Sequence, residues 1–243
     1  MKIDDKLRLL KQAKKLIYDT VNLNDADIQE NALVFIKTHK NTLFNTFIVY
    51  NNKERKAVFL AGSPGAGKTE LAMSIANAQG IDRIDTDEIR KLCPNYTGSN
   101  AHLFQKASSK GVSFLMDKVF KDEISFILDG NFSDYRLQKE NIERSIKRQY
   151  SVIIEFVYRP LHIAKLYTVC REEKEGRHVP DLIFYQKFLD SITTLKRIMA
   201  EFSVAVDFFD LENDLIIENI TDFDSVIEGS DSLKKTLSWL ARL

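Results

Sequence analysis

Cysteine is scarce in this chain: Cys93 and Cys170 are the two among 243 residues. Two thiols cannot build a disulfide framework, and their spacing is not that of a metal site. Low cysteine use suits a reducing compartment, so a cytoplasmic location is expected. An excess of one charge is also missing. Lys plus Arg and Asp plus Glu both total 35, giving a formal net charge of zero. Nothing global then attracts a nucleic acid or an anionic membrane surface, and neither partner is expected. Long apolar runs are absent; none approaches the roughly 20 residues that cross a bilayer. Met1-Lys2-Ile3-Asp4-Asp5 leads into charged residues, without the apolar core of a secretory leader. Internal repeats and low-complexity tracts are missing. His39, His102 and His162 show no ligand spacing, and His178 falls in a polar loop, where it either lines a lid or is simply exposed.

What is present supports a folded enzyme. Hydrophobic residues make up 44% of the chain, enough for a real core. The length suits one large α/β domain with an appendage. Gly62-Ser63-Pro64-Gly65-Ala66-Gly67-Lys68-Thr69 fits the phosphate-loop pattern G-x-x-x-x-G-K-[ST] at every position. The apolar run Lys56–Ala61 before it reads as a buried strand. Glu70 to Ala78 after it reads as a helix, with Leu71, Ile75 and Ala78 at helical spacing. Glycines let backbone N–H groups approach phosphate oxygens, and the helix start adds free donors and a positive dipole end. Lys68 is placed to reach the β- and γ-phosphates of ATP or GTP, and the Thr69 hydroxyl to ligate Mg²⁺.

Strands and helices then alternate. Strands are expected at 81–85, 124–129, 151–158 and 204–209, with 215–220 as a possible edge. Helices are expected at 101–120, 134–148, 160–173, 180–202 and 230–243, with a helical turn at 86–90. That alternation predicts a parallel sheet covered by helices on both faces, of the P-loop NTPase type. Residues 1–50 read as a helical extension: a stripe over Leu7–Ile17, a helix capped by Asn24 or Asp25, and an apolar stretch 42–50 with no clear preference. The polar run 51–55 is the best boundary, dividing a 1–50 extension from a 51–243 main domain.

In such sheets ligands bind beyond the carboxyl ends of the strands. Asp85 and Asp87 end the second strand. Asp87 is the favoured base for a substrate hydroxyl, against the competing reading that both aspartates cap a helix. Asp129 ends the third strand in an Ile-Leu-Asp form, placed to bind Mg²⁺ through water or to hydrogen-bond a substrate hydroxyl, with plain solvation of a strand end as the weaker third reading. Arg171 and Arg177 lie on a helix end and its polar loop, where a lid brings positive charge over the phosphates. The competing reading is a solvated charge run.

These residues, in this order, resemble the zeta toxin family of kinases. The resemblance runs from about Ala57 to Ala200. It rests on the phosphate loop, Ile84-Asp85-Thr86-Asp87-Glu88-Ile89-Arg90, Phe126-Ile127-Leu128-Asp129-Gly130-Asn131, Arg171 and Gly176-Arg177-His178-Val179-Pro180. It implies that Asp87 is the catalytic aspartate, Lys68 the loop lysine, and Arg171 and Arg177 the contacts to the transferred phosphate. It implies a substrate set of Asp129, Asn131 and Arg90. It further implies phosphate transfer from a nucleoside triphosphate to UDP-N-acetylglucosamine, toxicity, and a small helical antitoxin as partner. Asp129 stands where the family commonly has glutamate, and the turn after it also departs from well-studied members. The acceptor is therefore less constrained than the phosphate chemistry. Another metabolite kinase, or a nucleotide-binding regulatory module without transfer, are the alternatives. The 1–50 helices are expected either to restrain the enzyme in cis or to pack on the sheet.

Overall fold

A computed structural model describes residues 24–242. The expected stripe over Leu7–Ile17 lies outside the described residues. Asn24 caps α1 (Asp25–Thr38), its Oδ1 accepting from Asp27 N at 3.0 Å. Helix α2 (Lys40–Phe47) follows, which settles the undecided 42–50 stretch as mostly helical. The remaining elements are β1 (Lys56–Ala61), α3 (Lys68–Gln79), β2 (Asp82–Asp85), α4 (Thr86–Leu92), α5 (Gln105–Lys121), β3 (Phe126–Asp129), α6 (Tyr135–Lys147) and β4 (Ser151–Tyr158). They continue as α7 (Leu161–Glu175), α8 (Asp181–Glu201), β5 (Ala205–Asp210), β6 (Leu215–Ile217), α9 (Phe223–Gly229) and α10 (Asp231–Leu240).

The strands form one six-stranded sheet in the order β2-β3-β1-β4-β5-β6. All pairs are parallel except β5–β6, a hairpin that adds an antiparallel edge. The expected covered parallel sheet is therefore found. Alternation along β1 sorts its residues between the two faces. Ala57, Phe59 and Ala61 join a large core, while Val58 and Leu60 join a smaller cluster with Ala72 and Ala76 of α3. Because both faces are covered, β1 and β4 read as nearly continuous apolar runs. β6 lies exposed at the edge. Two details differ from the sequence reading. The 101–120 helix opens with a 3-10 turn, Ala101–Phe104, before α5 begins. Helix α9 is an element the sequence reading did not separate; Asp222 caps it.

The described part of the N-terminal extension shares the main core, through Ile28, Ala32, Ile36 and Leu43. The buried Asp82 carboxylate holds the chain beyond α2, accepting from Val49 N (2.7 Å), Tyr50 N (2.9 Å) and Asn51 N (2.9 Å). The polar run 51–55 is likewise fixed. Ser125 N donates to Asn52 O at 2.6 Å, and Arg55 pairs with Glu123 at 2.6 Å.

Candidate active site

The loop Gly62–Thr69 joins β1 to α3 at the carboxyl edge of the sheet. Gly62 has φ +126°, and a Cβ there would lie 2.2 Å from Val157 O of β4. Only glycine lets the loop leave β1 so close to its neighbour. Gly67 caps α3 in the left-handed region. Pro64 and Gly65 are half-buried at the bend, and Ala66 is fully buried in the smaller cluster. Ser63 Oγ is buried with no protein partner, an orphaned polar atom inside the loop. Lys68 Nζ donates to Gly62 O (3.1 Å) and Ser63 O (2.5 Å). Burial lowers its ammonium to about 8, with Asp129 opposing the shift and Arg171 adding to it. Lys68 is therefore within electrostatic reach of both residues. Thr69 stands half-buried in the first turn of α3.

On the β2/β3 flank, parallel pairing sets Asp85 beside Asp129. Asp85 caps α4, accepting from Asp87 N at 2.7 Å. That cap turns Asp87 out of the strand. Its Oδ1 accepts from Arg90 Nη1 at 2.6 Å, and its Oδ2 pairs with Arg177 Nη1. Arg90 is buried and also donates to Gln105. Burial lowers both Arg90 and Arg177 from the usual guanidinium value, but arginine stays cationic at neutral pH. Arg83 bridges the strand ends, with Nη1 2.6 Å from Asp85 Oδ2 and 2.7 Å from Asp129 Oδ2. Burial raises the Asp129 carboxyl, and Asp85 adds to the shift; Lys68 and Arg83 oppose it. Asn131 is half-buried in the turn after β3.

Arg171 stands apart from the Asp87 cluster. Its side chain is exposed on α7, 3.9 Å from Glu175. Arg177 follows directly on Gly176, the left-handed cap of α7. This segment rests against the 95–100 loop: a Cβ on Gly98 would lie 1.8 Å from Glu175 O. Asn100 stiffens that loop, accepting from Thr97 N (3.0 Å) and donating to Asn95 O (2.9 Å).

Two cations at this edge escaped the sequence reading. Arg83 lies two residues before Asp85 and so on the same face of β2, a signal that strand alternation carries. Arg159 directly follows β4, and its Nε donates to Ala66 O of the loop at 3.2 Å. Applying the strand-end rule to β4 as well would have found it.

The phosphate loop, the mostly parallel sheet and the charged residues at its carboxyl edge define a P-loop fold of the kinase type. The zeta toxin family model matches residues 40–219. The chain belongs to the zeta toxin family. Among solved structures, one from the PezAT chromosomal toxin-antitoxin system of Streptococcus pneumoniae is 17% identical, with a TM-score of 0.66 over 84% of this chain and 92% of that one. The AvrRxo1-ORF1:-ORF2 structure with ATP is 13% identical, with a TM-score of 0.59 over 76% of this chain and 65% of that one. At these identities both establish a shared fold. A curated relative, the ATP-dependent zinc metalloprotease FtsH 1 of Alkaliphilus metalliredigens (strain QYMF), is 33% identical over 104 residues. That match spans 42% of this chain and only 17% of the protease. No group of three or more His, Cys, Asp or Glu among the described residues is placed to hold a metal ion. No helix among them is long and apolar enough to cross a membrane.

Proposed function

We propose that this protein is a toxin kinase that moves the γ-phosphate of ATP or GTP to a sugar hydroxyl, with UDP-N-acetylglucosamine as acceptor. The single observation that carries this reading is the Asp87 carboxylate, held by Arg90 and Arg177 at the sheet edge that also carries the phosphate loop. Two guanidiniums hold this carboxylate in one orientation. Its part is to orient the acceptor O–H and take its proton as the oxygen attacks phosphorus; the bond to the β-phosphate oxygen then breaks and the nucleoside diphosphate leaves. Arg177 already stands at Asp87, so positive charge is in place where the phosphoryl group must pass. Lys68 exchanges its carbonyl partners for phosphate oxygens when the triphosphate binds. Arg171 reaches that group through a rotamer change of its exposed side chain on α7.

The donor set fits Mg²⁺, which takes oxygen ligands. Thr69 would hold the ion beside the phosphates, and the buried, unpartnered Ser63 Oγ marks a cradle built for more oxygen chemistry than the protein supplies. When bound, the ion supplies neutralisation of phosphate charge. Asp129, with Asn131, lies on the acceptor side, and its second carboxylate oxygen remains for a sugar hydroxyl. Family membership supports the toxic role. A complex with an antitoxin, as in the PezAT system, is part of the proposal.

The test is incubation with Mg-ATP and a panel of UDP-sugars, followed by mass spectrometry. UDP-N-acetylglucosamine should gain one phosphate; a panel left wholly unmodified overturns the acceptor assignment. Restraint in cis by the N-terminal extension needs a narrower cut than 1–50. Ile28, Ala32, Ile36 and Leu43 are core residues, so their removal would confuse inhibition with unfolding. Deleting residues 1–23 should raise turnover or toxicity in a folded protein, and equal turnover removes the restraint.

A further inference from the structure

Asp87 and Asp129 come to the sheet edge on two elements, the first turn of α4 and the end of β3. A base and an acceptor contact must keep one separation to act on the same hydroxyl. Arg83 reaches both elements. Its Nη1 lies 2.6 Å from Asp85 Oδ2 and 2.7 Å from Asp129 Oδ2. Asp85 uses its other oxygen to accept from Asp87 N at 2.7 Å. Arg83 is thus one carboxylate removed from the backbone that aims Asp87. Asp129 meets Arg83 through Oδ2, which leaves Oδ1 for an acceptor hydroxyl.

The sheet does not need this bridge. Backbone pairing already joins β2 to β3 from Asp82 beside Phe126 to Asp85 beside Asp129. Among the described residues, both side-chain hydrogen bonds of Arg83 go to these two carboxylates. Asp85 and Asp129 are both buried, and neighbouring carboxylates repel unless a cation stands between them. Burial works to lower the Arg83 guanidinium, but Asp85 and Asp129 outweigh it and raise it. Lys68 is the other cation within electrostatic reach of the pair. In the transfer proposed above Lys68 turns to the phosphates, and Arg83 stays.

We propose that Arg83 is a positioning residue that holds the acceptor carboxylate Asp129 and the Asp85 cap behind Asp87 in one fixed arrangement. It acts through the two aspartates, not on the substrates. This rests on the reading of Asp87 as base and Asp129 as acceptor contact for UDP-N-acetylglucosamine.

Steady-state kinetics of the full chain with Mg-ATP and UDP-N-acetylglucosamine, beside calorimetry of ATP binding, tests it. Arg83→Met keeps the apolar stem and removes the bridge. It should lower kcat by roughly tenfold to a hundredfold, the scale of a small misplacement. It should also raise the acceptor KM, while ATP affinity stays within a few-fold. Arg83→Lys keeps one donor nitrogen and the charge, so it should recover part of both losses. In an Asp129→Asn background, Arg83→Met should add little to the acceptor KM. A change in kcat alone or in KM alone breaks the tie between the two carboxylates and overturns the assignment. So does a lysine variant no better than methionine, a fully additive double variant, or an equal loss of ATP affinity. A wild type without turnover on UDP-N-acetylglucosamine overturns the acceptor reading instead. A crystal structure of Arg83→Met then decides Arg83 by itself: the Asp85 and Asp129 carboxylates should move apart, and an unmoved pair overturns its role.

Discussion

The phosphate loop and the Asp87 cluster lie at one sheet edge but are built in opposite ways. The loop is eight consecutive residues whose shape is set by backbone. Gly62 sits where any Cβ meets Val157 O, and Lys68 bonds to its own loop carbonyls. The Asp87 cluster is side chains from distant positions. Arg177 is 90 residues from its partner Asp87 and arrives by way of β3, β4 and α7. A part made of backbone tolerates little change but needs no help from elsewhere. A part made of converging side chains depends on everything that positions them.

That contrast is open to attack by mutation, beginning with the largest effect expected on turnover. Asp87→Asn keeps size and removes the basic carboxylate. Turnover should fall by roughly 10²–10⁴, the usual range for a lost general base, while calorimetric ATP affinity stays within a few-fold. Equal turnover would unseat Asp87 as the base. Gly62→Ala should act on the other part. Strain of about 1–3 kcal/mol from the left-handed backbone, plus the clash with β4, should lower the melting temperature and weaken ATP binding by roughly tenfold to a hundredfold. A variant that still binds ATP normally would show that the loop is not backbone-limited.

Gly98→Ala tests dependence at a distance. Its new methyl meets Glu175 O at 1.8 Å, so the 95–100 loop or the end of α7 must shift, carrying Arg177 with it. A displacement of about 1 Å is enough for a loss in turnover of order 10²-fold or less. ATP affinity should hold, since the loop residues are untouched. Loss of affinity without loss of turnover would break the proposed link between Gly98 and Arg177.

The smallest effect on turnover, none, is expected at Glu155. It faces Asp207 across β4–β5 and has a buried Oε2 without a partner. Burial, helped by Asp207 and Glu218, raises its carboxyl to about 7. The unfolded chain ionises near the ordinary value of 4.5, so this group costs stability as pH rises from there through 7, and costs nothing below. The full cost is about 3 kcal/mol. Glu155→Gln should therefore flatten the fall in melting temperature between pH 5 and pH 8. An unaltered slope would mean that Glu155 ionises freely in the fold.

Much of the architecture was readable because both faces of the sheet are covered: central strands such as β4 are apolar runs, and helices alternate with them at period 3.6. The α9 turn was missed because seven residues carry little periodic signal. The 42–50 stretch was undecided because its helix depends on packing beside α5, with Lys118 over the Phe44 ring. Within the site, the loop, Asp87 and Asp129 carried local signatures. Arg83, within β2, and Arg159, just past β4, carried none beyond their place at strand ends whose neighbours were not yet known.

The sequence alone determined the phosphate loop, the alternation of strands and helices, and the chemical types at each strand end. Those are local properties, fixed by glycine geometry and by the spacing of apolar side chains. Only the tertiary structure decided that Asp87 is gripped by Arg90 and Arg177, that Arg83 ties Asp85 to Asp129, and that Arg159 ties the end of β4 to Ala66 O of the loop. Those contacts depend on sheet order, which places β1 between β3 and β4 and so brings together residues that the chain keeps far apart.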